Sequence, residues 1–165
     1  MSQIAAFQKE LEREALTARK MLSIIPNDKY DWKPHEKSMT IKALSTHLAD
    51  IFSWFNMVLN SSELDFAKNP YQPDDINDTA ALMNLFEKKL VEGRTALANG
   101  KDSQLTDNWT LRNGETIYST EPKYEVIRMC FGQMIHHRAQ LGVYLRLLNV
   151  PIPGSYGPSA DDMNF

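Results

Sequence analysis

At 165 residues, with 42% hydrophobic and 24% charged residues, the chain has the make-up of a soluble globular protein. A core at this size removes roughly 70% of the unfolded surface from water. The net charge of −3, without a basic run or an RNA-binding aromatic motif, supplies no field for a nucleic acid and excludes one as the expected partner. No stretch of about 18 apolar residues is present, so no membrane-crossing helix is expected.

Met1-Ser2-Gln3-Ile4 leads straight into a charged amphipathic segment, with no apolar region of the signal-peptide kind. The single cysteine, Cys130, precludes an intramolecular disulfide and fits a reducing compartment. Asn60-Ser61-Ser62 and Asn77-Asp78-Thr79 match glycosylation sequons, a chance match in a chain without an export signal. The expectation is one cytoplasmic domain over residues 1–165.

Residues 2–25 read as a first helix, with Ile4, Phe7, Leu11, Ala18, Met21 and Ile25 at steps of three and four, ended by Pro26-Asn27-Asp28. Glu14 falls on that stripe. A buried carboxylate needs a partner, so Glu14 either supports a ligand histidine from behind or sits at the stripe's edge and reaches water. Residues 28–39 read as a loop around Pro34, with His35 exposed.

Thr40 suits the N-cap of a second helix over about 41–60. Its inner stripe is Ile41, Leu44, Leu48, Ile51, Phe55 and Val58, and His47 shares that face as a hydrogen-bonded core residue or as a ligand. Asp50, one turn on, is a rim residue or an orienting partner. Residues 61–78, with Pro70, Pro73 and several Asp and Asn, read as a loop. A third helix over about 79–98 carries Leu82, Phe86, Leu90 and Leu97 and stops at Asn99-Gly100.

Between 101 and 121, Trp109-Thr110-Leu111 and Thr116-Ile117-Tyr118 flank Asn113-Gly114, the pattern of a small hairpin or an ordered loop. Pro122 opens the last helix, which runs to about Leu148 and ends at Asn149-Val150-Pro151. Its expected inner stripe is Val126, Cys130, Leu141, Tyr144 and Leu148, with Gln133 and His137 four residues apart on the same face. Tyr156 and Phe165 suggest a tail packed across the bundle. Four such helices, with the short hairpin or loop inserted before the last, make an all-α four-helix bundle whose core sites come from facing side chains.

His47, Gln133 and His137 together form a candidate site for a divalent metal between helices. Imidazoles from separate helices plus a carbonyl oxygen can hold zinc, nickel, iron or copper and leave positions open. Such an ion lowers the pKa of a bound water or thiol. Gln133 weakens the set, because an amide oxygen is a poorer ligand than an imidazole. Cys130, on the inner stripe beside Met129 and Phe131, reads as a structural thiol rather than a nucleophile. No Gly-rich phosphate loop and no nucleophile elbow occur.

Four segments carry a resemblance: Trp32-Lys33-Pro34-His35-Glu36-Lys37-Ser38-Met39-Thr40-Ile41, Leu44-Ser45-Thr46-His47-Leu48, His136-His137-Arg138-Ala139-Gln140-Leu141 and Pro151-Ile152-Pro153-Gly154-Ser155-Tyr156-Gly157-Pro158-Ser159. In that order, over nearly the whole chain, they resemble the DinB-like superfamily of damage-inducible bacterial proteins. The resemblance implies a four-helix bundle, often a homodimer, with a three-histidine site for nickel, zinc or a similar ion. Carried over, the ligands fall on His47, position 133 and His137, and the chain departs from the pattern at Gln133. His136 lies about 100° around the helix from its neighbour and does not substitute.

Relatives of this kind include metal-dependent S-transferases and isomerases that use low-molecular-weight thiols, which implies thiol transfer to a small electrophile. Glu14 and Asp50 would then stand behind the ligands. The alternative is a bundle that has lost its metal and serves as a small-ligand-binding or dimeric interaction module.

Overall fold

The computed structural model describes residues 2–163. Helix α1 (Gln3–Leu22) starts at Ser2, whose hydroxyl accepts from the Ala5 amide. Asp102, from the distant loop 100–107, accepts from the amides of Gln3 and Ile4 at the same helix end. These bonds occupy amide donors that the first turn leaves free, and the carboxylate complements the helix dipole.

The expected second helix is two. Helix α2 (Ile41–Ile51) begins at Thr40, which caps the Ala43 amide, and helix α3 (Trp54–Asn60) follows a break at Phe52-Ser53. Two features, one local and one from another helix, accompany the break. The Ser53 hydroxyl donates to the Asp50 carbonyl at 2.8 Å, a backbone competition that bends helices. The freed Phe52 carbonyl also lies against Gly93 of helix α4 (Thr79–Asn99), where a Cβ would stand 2.1 Å from that oxygen. Only glycine permits this approach.

Helix α5 (Lys123–Leu147) closes the bundle, with α1 and α2 each packed on both α4 and α5. The core is paved by aromatic pairs, Phe52 on Phe86 and Phe55 on Phe131, each with ring centroids 4.9 Å apart. Helix α5 ends as a Schellman motif. Asn149, at φ 57°, puts its amide on the Arg146 carbonyl and the Val150 amide on that of Leu145.

A purely helical bundle is corrected by a small sheet of strand order β1-β2-β3. Strands β2 (Asn108–Asn113) and β3 (Thr116–Pro122) form an antiparallel hairpin, one of the two readings open for this stretch, and Gly114 at φ 57° supplies the turn conformation. Strand β1 (Glu63–Asp65) lies within the expected loop and pairs with β2 in parallel, Glu63 opposite Thr110. Three residues carry no readable alternation, and their partner is remote in sequence, so periodicity cannot reveal such a strand.

The inner face of α5 also shifts. Val126, Cys130 and Leu141 are buried as expected, but Phe131, Met134, Arg138 and Leu145 occupy the centre, while Gln133, His137, Tyr144 and Leu148 are half-buried on its flank. The helix packs against α1, α2 and α3, so more than one stripe is covered. The tail bonds back onto α5 through Asp161 and Arg146, and onto α1 through Tyr156. Phe165 lies outside the described residues. Among the described residues no helix is long and apolar enough to cross a membrane.

Candidate functional site

Helix α2 and the flank of α5 meet at His47 and His137. His47, on α2, stands edge-to-face with His137, on α5, with ring centroids 4.7 Å apart and planes at 77°. Two imidazoles sharing one cation, each with a ring nitrogen about 2.1 Å from it, sit at a comparable spacing. Gln133, one turn before His137, lines with His47 a cavity of about 620 Å³. Trp54 and Tyr71 complete the surroundings of His47, at centroid distances of 5.4 and 6.2 Å.

The His137 Nδ1 and Gln140 Oε1 lie 3.0 Å apart. With the amide oxygen accepting, Nδ1 carries the proton and Nε2 keeps its lone pair, the arrangement that commonly stands behind a metal-ligating histidine. No described residue hydrogen-bonds the His47 ring. Burial, chiefly, holds both imidazoles below their ordinary range. The neighbouring His137 adds to the shift at His47, and the Gln140 bond opposes it at His137. Both rings are therefore neutral near pH 7, the form that coordinates metal.

Among the described residues no group of three or more His, Cys, Asp or Glu converges for a metal. The available donors are two imidazoles and the Gln133 amide. That set is chemically compatible with a divalent ion completed by water or substrate, at lower affinity than three imidazoles.

The other residues singled out in the sequence have different places. Asp50 is buried, with one carboxylate oxygen on Lys89 Nζ at 2.9 Å and the other accepting from the Tyr71 hydroxyl at 3.2 Å. It does not hydrogen-bond His47 and is not a solvated rim residue. Glu14 neither supports a ligand nor reaches water. It is buried against Arg138 of α5, with the Tyr156 hydroxyl donating at 2.8 Å. His136 is exposed, its ring 4.9 Å from that of His137, and His35 is exposed as expected. Cys130 lines the cavity, and burial pushes its thiol up to about 12, which keeps it protonated.

Lys89, Tyr71, Trp54 and Gln140 were not anticipated at the site. Only Gln140 left a readable signal, three residues after His137 on one helix face. Lys89 and Tyr71 arrive from α4 and from the loop 66–78, and nothing local in the sequence joins them to Asp50.

The chain belongs to the DinB family, whose model matches residues 1–164. Its fold is similar to that of a DinB-like protein (YjoA) of Bacillus subtilis, with a TM-score of 0.71 and 18% identity over 91% of this chain and 96% of that one. A DinB-like protein of Bacillus cereus is similar at a TM-score of 0.67 and 18% identity, covering 94% and 100% of the two chains. A mycothiol-dependent maleylpyruvate isomerase is similar at a TM-score of 0.61 and 15% identity, over 84% of this chain and 60% of that one. At these identities the likeness is one of fold. No curated protein matches the chain.

Proposed function

We propose that this DinB-family chain binds a divalent cation, nickel or zinc, through His47, Gln133 and His137. It then serves transfer of a low-molecular-weight thiol to a small electrophile held in the adjoining cavity. The observation that carries the reading is the close pair of neutral imidazoles from two helices beside a cavity of about 620 Å³. The fold shared with a mycothiol-dependent isomerase supports the thiol as co-substrate.

When bound, the cation would supply Lewis acidity that lowers the pKa of a thiol. The chain does the rest. Gln140 orients the His137 ring. Trp54, Met57 and Val58 exclude water from the cavity wall. Lys89 neutralises Asp50, so that one carboxylate does not stand uncompensated beside His47.

A reducing compartment such as the cytoplasm suits a thiol substrate and the free Cys130. A homodimer is part of the proposal, and Val143 and Leu147, apolar and exposed on α5, support a second copy there.

One observation favours a second reading. The third donor is an amide, and no three-membered His, Cys, Asp or Glu group stands in its place among the described residues. The bundle would then be a metal-free ligand-binding or dimeric interaction module, with Gln133 as a polar contact in the pocket.

Metal content by mass spectrometry separates the two. The protein is purified without an affinity tag and offered nickel, zinc and manganese, with His47→Ala alongside. Near-stoichiometric metal that the variant loses supports the metal site. No retained metal, and no difference between the two proteins, overturns it in favour of the module.

A further inference from the structure

The cavity beside His47 has an uneven lining. Its walls are largely apolar and aromatic, with Trp54, Phe66, Tyr71 and Trp109 among them. Its ionisable groups, besides His47, Tyr71 and Cys130, are the carboxylates of Asp50 and Asp74 and the ammonium of Lys89. Lys89 is already committed to Asp50 at 2.9 Å. The Asp74 side chain makes no hydrogen bond or ion pair with any described residue. Burial and then Asp50 push the Tyr71 phenol up, and the charge of Asp74 adds a smaller push in the same direction. Lys89 also feels the charge of Asp74, so among the described lining residues two carboxylates share one ammonium, and the cavity combines aromatic faces with an excess of negative charge.

An aromatic face carries negative electrostatic potential, and a carboxylate adds a full charge of the same sign. Both attract an organic cation. An anionic ligand would meet this excess negative charge, and Lys89, the one ammonium among the described lining residues, would have to leave buried Asp50 with the Tyr71 hydroxyl as its remaining partner. We propose that the cavity selects small molecules with an aromatic or apolar body and an amine or quaternary ammonium group, and disfavours carboxylates of the same size. The inference rests on the cavity being the substrate site, and it names the substrate class.

The test compares benzyltrimethylammonium with benzoate, titrated against the tryptophan fluorescence of the whole chain in buffer containing EDTA. Chelation keeps the result independent of the metal, whose content is measured separately on the same preparation. The ammonium compound should bind about tenfold more tightly than benzoate, the scale of a partly desolvated cation–π contact. Asp74→Asn, in an exposed loop where folding is not at stake, should remove most of that preference, and Trp54→Leu should weaken the ammonium compound alone. Benzoate binding as tightly as the ammonium compound would overturn the proposal, as would a preference that neither variant changes. Failure of both probes to bind would overturn it too, while the separate metal measurement still decides the metal site.

Discussion

Glu14 on α1 and Arg138 on α5, 124 positions apart, form an ion pair in which each side chain is only 5% exposed. The Tyr156 hydroxyl joins them, donating to Glu14 at 2.8 Å and accepting from Arg138 at 2.7 Å. The guanidinium also stacks over the Tyr156 ring, 5.0 Å from its centroid. Two helices and the C-terminal tail thus meet at one buried polar cluster.

Removing one partner of that pair leaves a charge buried without compensation. Glu14→Leu should cost about 3–5 kcal/mol, and the double variant with Arg138→Met should recover much of the loss. Tyr156→Phe, which deletes the tail's hydroxyl, should cost about 1 kcal/mol. Urea unfolding of the variants measures all three. An unchanged midpoint for Glu14→Leu would mean that the pair contributes nothing.

Two glycines should respond in opposite directions to the same methyl group. Gly93→Ala drives a Cβ into the Phe52 carbonyl, 2.1 Å away, and should destabilise by about 1–3 kcal/mol or more. Gly132→Ala, in α5, meets no atom within 4 Å and should stabilise by about 0.5–1 kcal/mol through its better helix propensity. Thermal unfolding checks both, and equal shifts would refute the close approach of α4 to the break.

Cys130 should resist thiol reagents as long as the chain is folded. Its folded pKa, pushed up by burial to about 12, exceeds the ordinary value of 9.0. The unfolded chain therefore loses the proton first as the pH rises. The stability linked to this group is complete below pH 9.0 and declines as the pH climbs from there towards 12. Iodoacetamide at pH 8 should label the chain in urea and leave the native protein unlabelled. Rapid native labelling would contradict the burial.

Metal affinity should follow the bonds around His137. Gln140→Leu removes the acceptor that orients the ring and should weaken binding about 10–100-fold. Gln133→His replaces an amide donor with an imidazole and should strengthen it. Competition against a chromophoric chelator reads both. An affinity indifferent to position 140 would place the metal elsewhere.

Three of the helices, and part of what they cover, were legible in the apolar spacing. Apolar steps of three and four marked α1, α4 and α5, and the cap at Thr40, the stop at Asn149 and a candidate turn at Gly114 followed from local chemistry that needs only neighbouring residues. The histidine pair was legible for the same reason, because His47 and His137 both lie on or beside apolar stripes.

What distant residues do to one another depended on the packing of the helices. The break at Phe52-Ser53 depends on Gly93 of another helix, and β1 exists because β2 lies beside it. Asp50 has its meaning from Lys89 and Tyr71, and Glu14 from Arg138 and Tyr156. A buried charge must find a partner, but nothing in its local spacing says which. That choice is made by whichever groups the packed helices bring within hydrogen-bond reach, and it becomes visible only once the chain has folded.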